Sequence, residues 1–143
     1  DKDAEIQNEI QDISSNKQIR EYGYEFEKSI EAALRTRPDI IIQDQKSDDR
    51  GIDIVFSKND KQYFIEAKYL TRSKIGLNTF HQLTHYLKDK SGEAWLVYNT
   101  DLTPLVAQHI NDFNKENKDK SIKPIKVANS KEFADKLSDI LPK

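Results

Sequence analysis

The 143-residue sequence contains no cysteine and no methionine, only four glycines and four prolines, and one tryptophan. Without cysteine there is no disulfide framework, no thiolate nucleophile and no cysteine-ligated zinc. The lack fits a reducing compartment without requiring one. No apolar run approaches the roughly 20 residues that span a bilayer, so no membrane segment is expected. The first residues lack a signal-peptide pattern. An excess of one charge is missing too: 23 basic and 25 acidic side chains leave a net −2. That balance excludes a broadly basic protein that coats nucleic acid, but leaves room for a local basic groove. A methionine-free chain starting at Asp1 suits a trimmed start or a domain cut from a longer polypeptide.

What the sequence does have is the material of one folded domain. Charged residues reach 34% and hydrophobic ones 36%, but aromatics at 9% and a clear apolar periodicity argue against disorder. The length suits one domain with a core of its own. The charge is unevenly spread. Residues 1–60 carry 9 bases and 15 acids, and residues 61–143 carry 14 and 10.

Ile6, Ile10 and Ile13 recur at helical spacing and predict a short helix over 3–14. We expect residues 1–16 to be a helical extension and 17–143 a single domain. Ile19, Tyr22, Phe26, Ile30 and Ala33 form the stripe of a longer helix over 17–36, stopped by Pro38. Strands are predicted at Ile40–Ile42, Ile52–Ser57 and Gln62–Tyr69, the last two joined by an Asn59-Asp60 turn. Leu77, Phe80, Leu83 and Leu87 mark a helix over 77–89, and Ala94–Tyr98 a buried strand. Thr103-Pro104 starts another helix, with a cap residue and then proline. Asn114–Lys123 reads as an exposed loop or frayed helix end. Pro124–Val127 reads as a last short strand, and Asn129 with Glu132 as the capping box of a final helix. The order implies an α/β fold: a mixed β-sheet of about five strands flanked by helices.

The hairpin carries the chemistry. With Asn59 and Asp60 as its loop, Lys58 faces Lys61, and counting back along both strands sets Asp53 opposite Glu66. Directly opposed residues share a face with Cβ atoms about 4.5–5.5 Å apart, and the two-residue period adds Lys68 to that face. The other face, from Ile52, Ile54 and Phe56 to Tyr63, Ile65 and Ala67, is nearly all apolar. Two opposed carboxylates repel unless something positive lies between them. A divalent cation would serve, since Mg²⁺ takes one or two carboxylates and keeps waters for substrate phosphates. So would neutralisation by Lys68 on a solvated face.

At these residues the chain resembles the PD-(D/E)XK nuclease superfamily, the restriction-endonuclease-like fold. The pattern stands as Gly51-Ile52-Asp53 followed by Glu66-Ala67-Lys68. In the preceding helix Gly23-Tyr24-Glu25-Phe26-Glu27 is similar to the family's G-x-x-F-E segment. In the following helix Gln82-Leu83-Thr84-His85-Tyr86 is similar to its Q-x-x-x-Y segment. The resemblance covers roughly residues 17–100. Ile52 stands where the family has proline. The literal Pro38-Asp39 is a decoy, because proline there stops a helix and Asp39 precedes the first strand.

The resemblance implies metal-dependent hydrolysis of phosphodiester bonds. Asp53, Glu66, Glu27 and the Ala67 carbonyl would hold one or two Mg²⁺ or Mn²⁺ ions. Lys68 would orient the attacking water or stabilise charge on the phosphate. The surrounding acids favour its charged form, so proton removal is not expected of it. Gln82 would bind the phosphate or a metal water. Arg72, Ser73, Lys74 and Asn78, in and just after the loop beyond the Glu-x-Lys strand, would contact nucleic acid. DNA is the expected substrate, with transfer RNA the alternative. A non-catalytic binding module on the same fold is a further alternative. Compact members also serve as C-terminal toxin domains of larger secreted proteins in bacterial competition, acting in a target cytoplasm and held by an immunity protein. His81 and His85 share a helix face, but without H-E-x-x-H or a third ligand no zinc site is expected. His109, inside an apolar stripe, is expected to be structural.

Overall fold

The structure, a computed structural model, describes residues 21–43 and 52–143. The expected helix at 3–14, the extension 1–16, the first residues of the long helix and Gly51 lie outside the described residues.

Helix α1 runs through residues 21–35 and buries Phe26, Ile30 and Leu34, one turn apart. It ends where the Thr36 hydroxyl donates to the Ala33 carbonyl (2.6 Å) and Pro38 forbids another turn. Arg37, buried just past this end, donates to both carboxylate oxygens of Asp39 (2.9 and 2.5 Å) and to the Leu141 carbonyl. Asp39 is therefore engaged in tying the end of α1 to the C-terminal segment, and its carboxyl is held down at about 2 by that bond.

Strands β1 (Ile41–Gln43), β2 (Ile54–Lys58) and β3 (Lys61–Lys68) follow. Helix α2 (Leu77–Leu87), strand β4 (Gly92–Tyr98), helix α3 (Pro104–Glu116), strand β5 (Lys120–Lys126) and helix α4 (Ser130–Ile140) complete the described chain. The sheet order is β1-β2-β3-β4-β5. The first two pairings are antiparallel and the last two parallel, so the sheet is mixed as expected. Both crossover helices, α2 and α3, cover one face, against Val55, Phe64, Ala94, Leu96 and Ile122. Helices α1 and α4 cover the other, against Ile54, Phe56, Tyr63, Ile65, Trp95 and Val97. The hairpin face that carries Glu66 and Lys68 is thus buried over most of its length, and only its end is polar.

The hairpin register is the counted one, from Ile54↔Ile65 to Lys58↔Lys61. Asn59 and Asp60 both have positive φ, 53° and 67°, as the two central residues of a type I′ turn require. Thr103 caps α3 by accepting from the Val106 N–H. At α4, Asn129 accepts from the Glu132 N–H (2.9 Å) while Glu132 reaches back to the Ala128 N–H (2.8 Å).

One expectation holds only in part. Asn114–Lys123 is the end of α3 to Glu116 and a short connection over 117–119, but β5 already begins at Lys120. The Asn114 side chain accepts from the Ile122 N–H (2.7 Å) and donates to its carbonyl (2.8 Å). Lys120 does not point idly into solvent but donates to the Leu87 and Lys88 carbonyls at the end of α2. Polar composition hid the first half of a strand whose partner, β4, lies elsewhere in the sequence.

Candidate metal centre

The carboxyl ends of the parallel strands β3, β4 and β5 share one edge of the sheet, the usual place for a site in α/β folds. Glu66 and Lys68 sit on the last turns of β3 there. Asp53 arrives from the antiparallel neighbour, one residue before β2 begins. Its N–H donates to the Ile65 carbonyl (2.9 Å), one residue off the ladder's register. The ladder proper stops at Ile54, which leaves the Ala67 N–H without a backbone partner from β2. The Asp53 carboxylate takes that N–H, at 2.7 Å. The strand ending therefore turns the Asp53 side chain inward over β3 rather than away from it.

Three carboxyls meet electrostatically at this point. Asp53 occupies the middle and has hydrogen-bonding interactions with both Glu66 and Glu27. Glu66 is 7% exposed. Burial, then repulsion from Asp53, pushes its carboxyl well above the ordinary range. Burial also raises Asp53, although the Ala67 N–H pulls against it. Glu27, from α1, is half-buried and raised to about 7, by burial first and by Asp53 second. Lys68 stands 3.7 Å from Glu66 with a third of its side chain exposed. One ammonium against three acids leaves the site short of positive charge.

The donor set is hard oxygen, which suits Mg²⁺ or Mn²⁺. Among the described residues, no group of three or more His, Asp or Glu side chains converges closely enough to enclose an ion. The oxygens that could hold an ion here are those of Asp53 and Glu66, with the Ala67 carbonyl on the residue between Glu66 and Lys68. Glu27 reaches this group from α1 through its electrostatic interaction with Asp53.

The remaining expected residues are placed less closely. Gln82 is exposed on α2, and no hydrogen bond joins it to the acids. Tyr86, from the same segment, packs edge-on to Phe64 with Lys90 over its other face, 4.1 Å from the ring centre. Arg72, Ser73, Lys74 and Asn78 are all exposed, in the loop between β3 and α2 and in the first turn of α2. His81 and His85 are exposed and His109 is largely packed against Phe80.

Sequence reasoning passed over Asn99. Its side chain accepts from the Leu70 N–H (2.7 Å) and donates to the Leu70 carbonyl (2.9 Å). This adds a rung beyond the last backbone pair, Lys68↔Tyr98. The available signal was an asparagine directly after a buried parallel strand.

The Mrr_cat restriction endonuclease family model matches residues 20–137. The fold is also similar to the crystal structure of AF1548, a protein of unknown function, with a TM-score of 0.51 at 14% identity. That match covers 69% of this chain and 57% of the other, so the chain spans little more than half of AF1548, and the likeness is one of fold. No curated protein matches the chain.

Proposed function

The chain belongs to the restriction endonuclease family, and from that premise we propose that it is a metal-dependent endonuclease acting on DNA. The observation that carries the reading is the pair of carboxyls, Glu66 buried and Asp53 half-buried beside it and held by the Ala67 N–H, with Lys68 alongside. Burying like charges in contact is costly. A divalent cation turns that cost into binding energy.

What a bound Mg²⁺ or Mn²⁺ supplies is polarisation of the phosphate and a water of lowered pKa. The chain's own residues do the rest. Asp53 and Glu66 would serve as oxygen ligands to such an ion, with the Ala67 N–H fixing the orientation of Asp53. Glu27, beside Asp53, would bind a water of the ion. Lys68, kept in reach by Glu66, meets the negative charge that grows on the phosphate in the transition state. Arg72, Ser73, Lys74 and Asn78 position the strand through its phosphates, and Gln82 extends that surface along α2.

Incubation with plasmid DNA and with total RNA, in Mg²⁺, Mn²⁺ or chelator, tests the reading beside Asp53→Ala and Lys68→Ala. Metal-dependent cleavage of DNA is expected, reduced at least about a hundredfold in either variant. Cleavage of RNA alone would shift the substrate to transfer RNA. An inert wild-type protein would leave a binding module, and cleavage undiminished in Asp53→Ala would place the site elsewhere.

A further inference from the structure

The segment that follows Lys68 is stitched to the β4–α3 loop along its whole length. The Asn99 side chain holds both backbone groups of Leu70. The Thr100 hydroxyl donates to the Ser73 carbonyl (3.0 Å). The Ile75 N–H donates to the Asp101 carbonyl (2.9 Å), and the Thr103 N–H donates to the Ile75 carbonyl (3.1 Å). Of these, the Asn99 clamp lies nearest the catalytic strand, two residues beyond Lys68.

Backbone pairing of β3 with β4 ends at Lys68↔Tyr98. Lys68 therefore occupies the terminal rung, where a strand frays unless something closes it. Asn99 closes it by presenting an acceptor and a donor to Leu70, as a further strand residue would. Lysine is long and flexible, and its contact with Glu66 is a 3.7 Å ion pair, which fixes the ammonium only loosely. The direction of the side chain then depends on how firmly its own backbone is held.

We propose that Asn99 is a positioning residue for Lys68, acting by locking the terminal rung of β3 through Leu70. The inference rests on the nuclease reading and deepens it. The fold supplies its own control. Asn114 clamps Ile122 with the same pair of bonds, at 2.7 and 2.8 Å, at the start of β5 and away from the acids. The two amides make the same pair of backbone hydrogen bonds, and only one is tied to a catalytic side chain.

The test measures melting temperature, kcat and KM on duplex DNA for Asn99→Ala, Asn114→Ala, Lys68→Ala and Lys68→Ala/Asn99→Ala. Both asparagine variants should lower the melting temperature to a similar degree. Below melting, Asn99→Ala should lower kcat about ten- to a hundredfold, as small misplacements of catalytic groups do. Its KM should stay within a few-fold, because Thr100 and Asp101 still hold the phosphate-contacting loop. Asn114→Ala should keep the wild-type kcat. In the Lys68→Ala background, adding Asn99→Ala should change kcat by less than about twofold, since coupled residues are non-additive. Asn99→Asp, which keeps the acceptor for the Leu70 N–H, should recover part of the loss. Full kcat in Asn99→Ala overturns the inference alone, as does an equal fold-loss with and without Lys68. An inactive wild-type protein overturns the nuclease reading and this inference with it.

Discussion

The two ends of the sheet are built on opposite terms. At the carboxyl end of the parallel strands, three acidic groups are drawn inward against burial and mutual repulsion, with one lysine for company. At the other end, the Asn59-Asp60 turn and the segments Asp89–Gly92 and Asn117–Ser121 surround an open cavity of about 800 Å³. Charges are just as frequent there, but they lie in solvent or serve the backbone. Lys120 satisfies the last carbonyls of α2, and Ser91 donates to Asp119 (3.2 Å). Cavity size would choose this second end as the functional one. Electrostatics favours the first, because, of the two ends, it is the one where burial and like charge push carboxyls toward their protonated form.

The contrast predicts that the far end is where stability is most easily broken without loss of chemistry. Gly92 opens β4 with φ +142°, and a Cβ there would stand 2.4 Å from the Gln62 carbonyl oxygen and 3.0 Å from the Phe64 ring. Neither the backbone of β3 nor the packed ring can give way. Gly92→Ala should destabilise the protein by about 2–4 kcal/mol through strain and overpacking, read as a melting temperature lower by roughly 7–13 degrees. Metal-dependent cleavage per folded molecule, measured well below melting, should persist. An unshifted melting temperature would show that the close approach of β3 and β4 at Gly92 is not fixed.

How much of this was legible in the sequence differs between the two ends. The far turn was legible because its information is local: asparagine and aspartate tolerate left-handed φ, and two residues between apolar strands set the register. The same counting brought Asp53 to Glu66, since a register propagates along a hairpin. Counting could not say that the ladder stops at Ile54 or that Asp53 is held by the Ala67 N–H. That depends on where β2 leaves the sheet. Nor could it find Asn99 or the true start of β5. Both rest on parallel pairing between segments separated by a helix, and the asparagine side chains that complete that pairing look in sequence like loop residues. The fold class survived such gaps because apolar periodicity was strong in every helix but carried no information about strand ends.

The acidic end, as the proposed site, should show the reverse behaviour, with stability gained as chemistry is lost. A carboxyl raised on folding keeps its proton longer in the native state, so its contribution favours folding below its unfolded value and is lost as pH rises through the folded one. For Glu27 that window runs from 4.5 to about 7, and Glu66 and Asp53 shift in the same direction. The lowered carboxyls, Asp39, Asp89, Asp101 and Glu132, act in more acid solution. Metal-free protein should therefore lose stability between pH 5 and 8. Glu66→Gln should flatten that loss and be more stable than wild type at pH 8 by about 1–2 kcal/mol, as when a buried charge is replaced by a neutral group. Mn²⁺ or Mg²⁺ should stabilise the wild type, increasingly so at higher pH, and stabilise the variant much less. Denaturant melts at two pH values with and without metal measure all of this. A wild type more stable at pH 8 than at pH 5 would remove the strain from the site.

The smallest effect belongs to the Asn59-Asp60 turn. Type I′ geometry costs least with glycine at the second central position, and Asp60 holds φ 67° there without any ion pair among the described residues. Asp60→Gly relieves that strain, while the added freedom of the unfolded chain offsets part of the gain. The balance is a stabilisation of about 0.3–0.8 kcal/mol, or one to a few degrees of melting temperature. Because the turn lies at the opposite end of β2 and β3 from Asp53 and Glu66, cleavage and its metal dependence should not move. A change in cleavage with this variant would mean that the hairpin passes a shift at its turn along both strands to the acids, and the two ends could no longer be treated as independent.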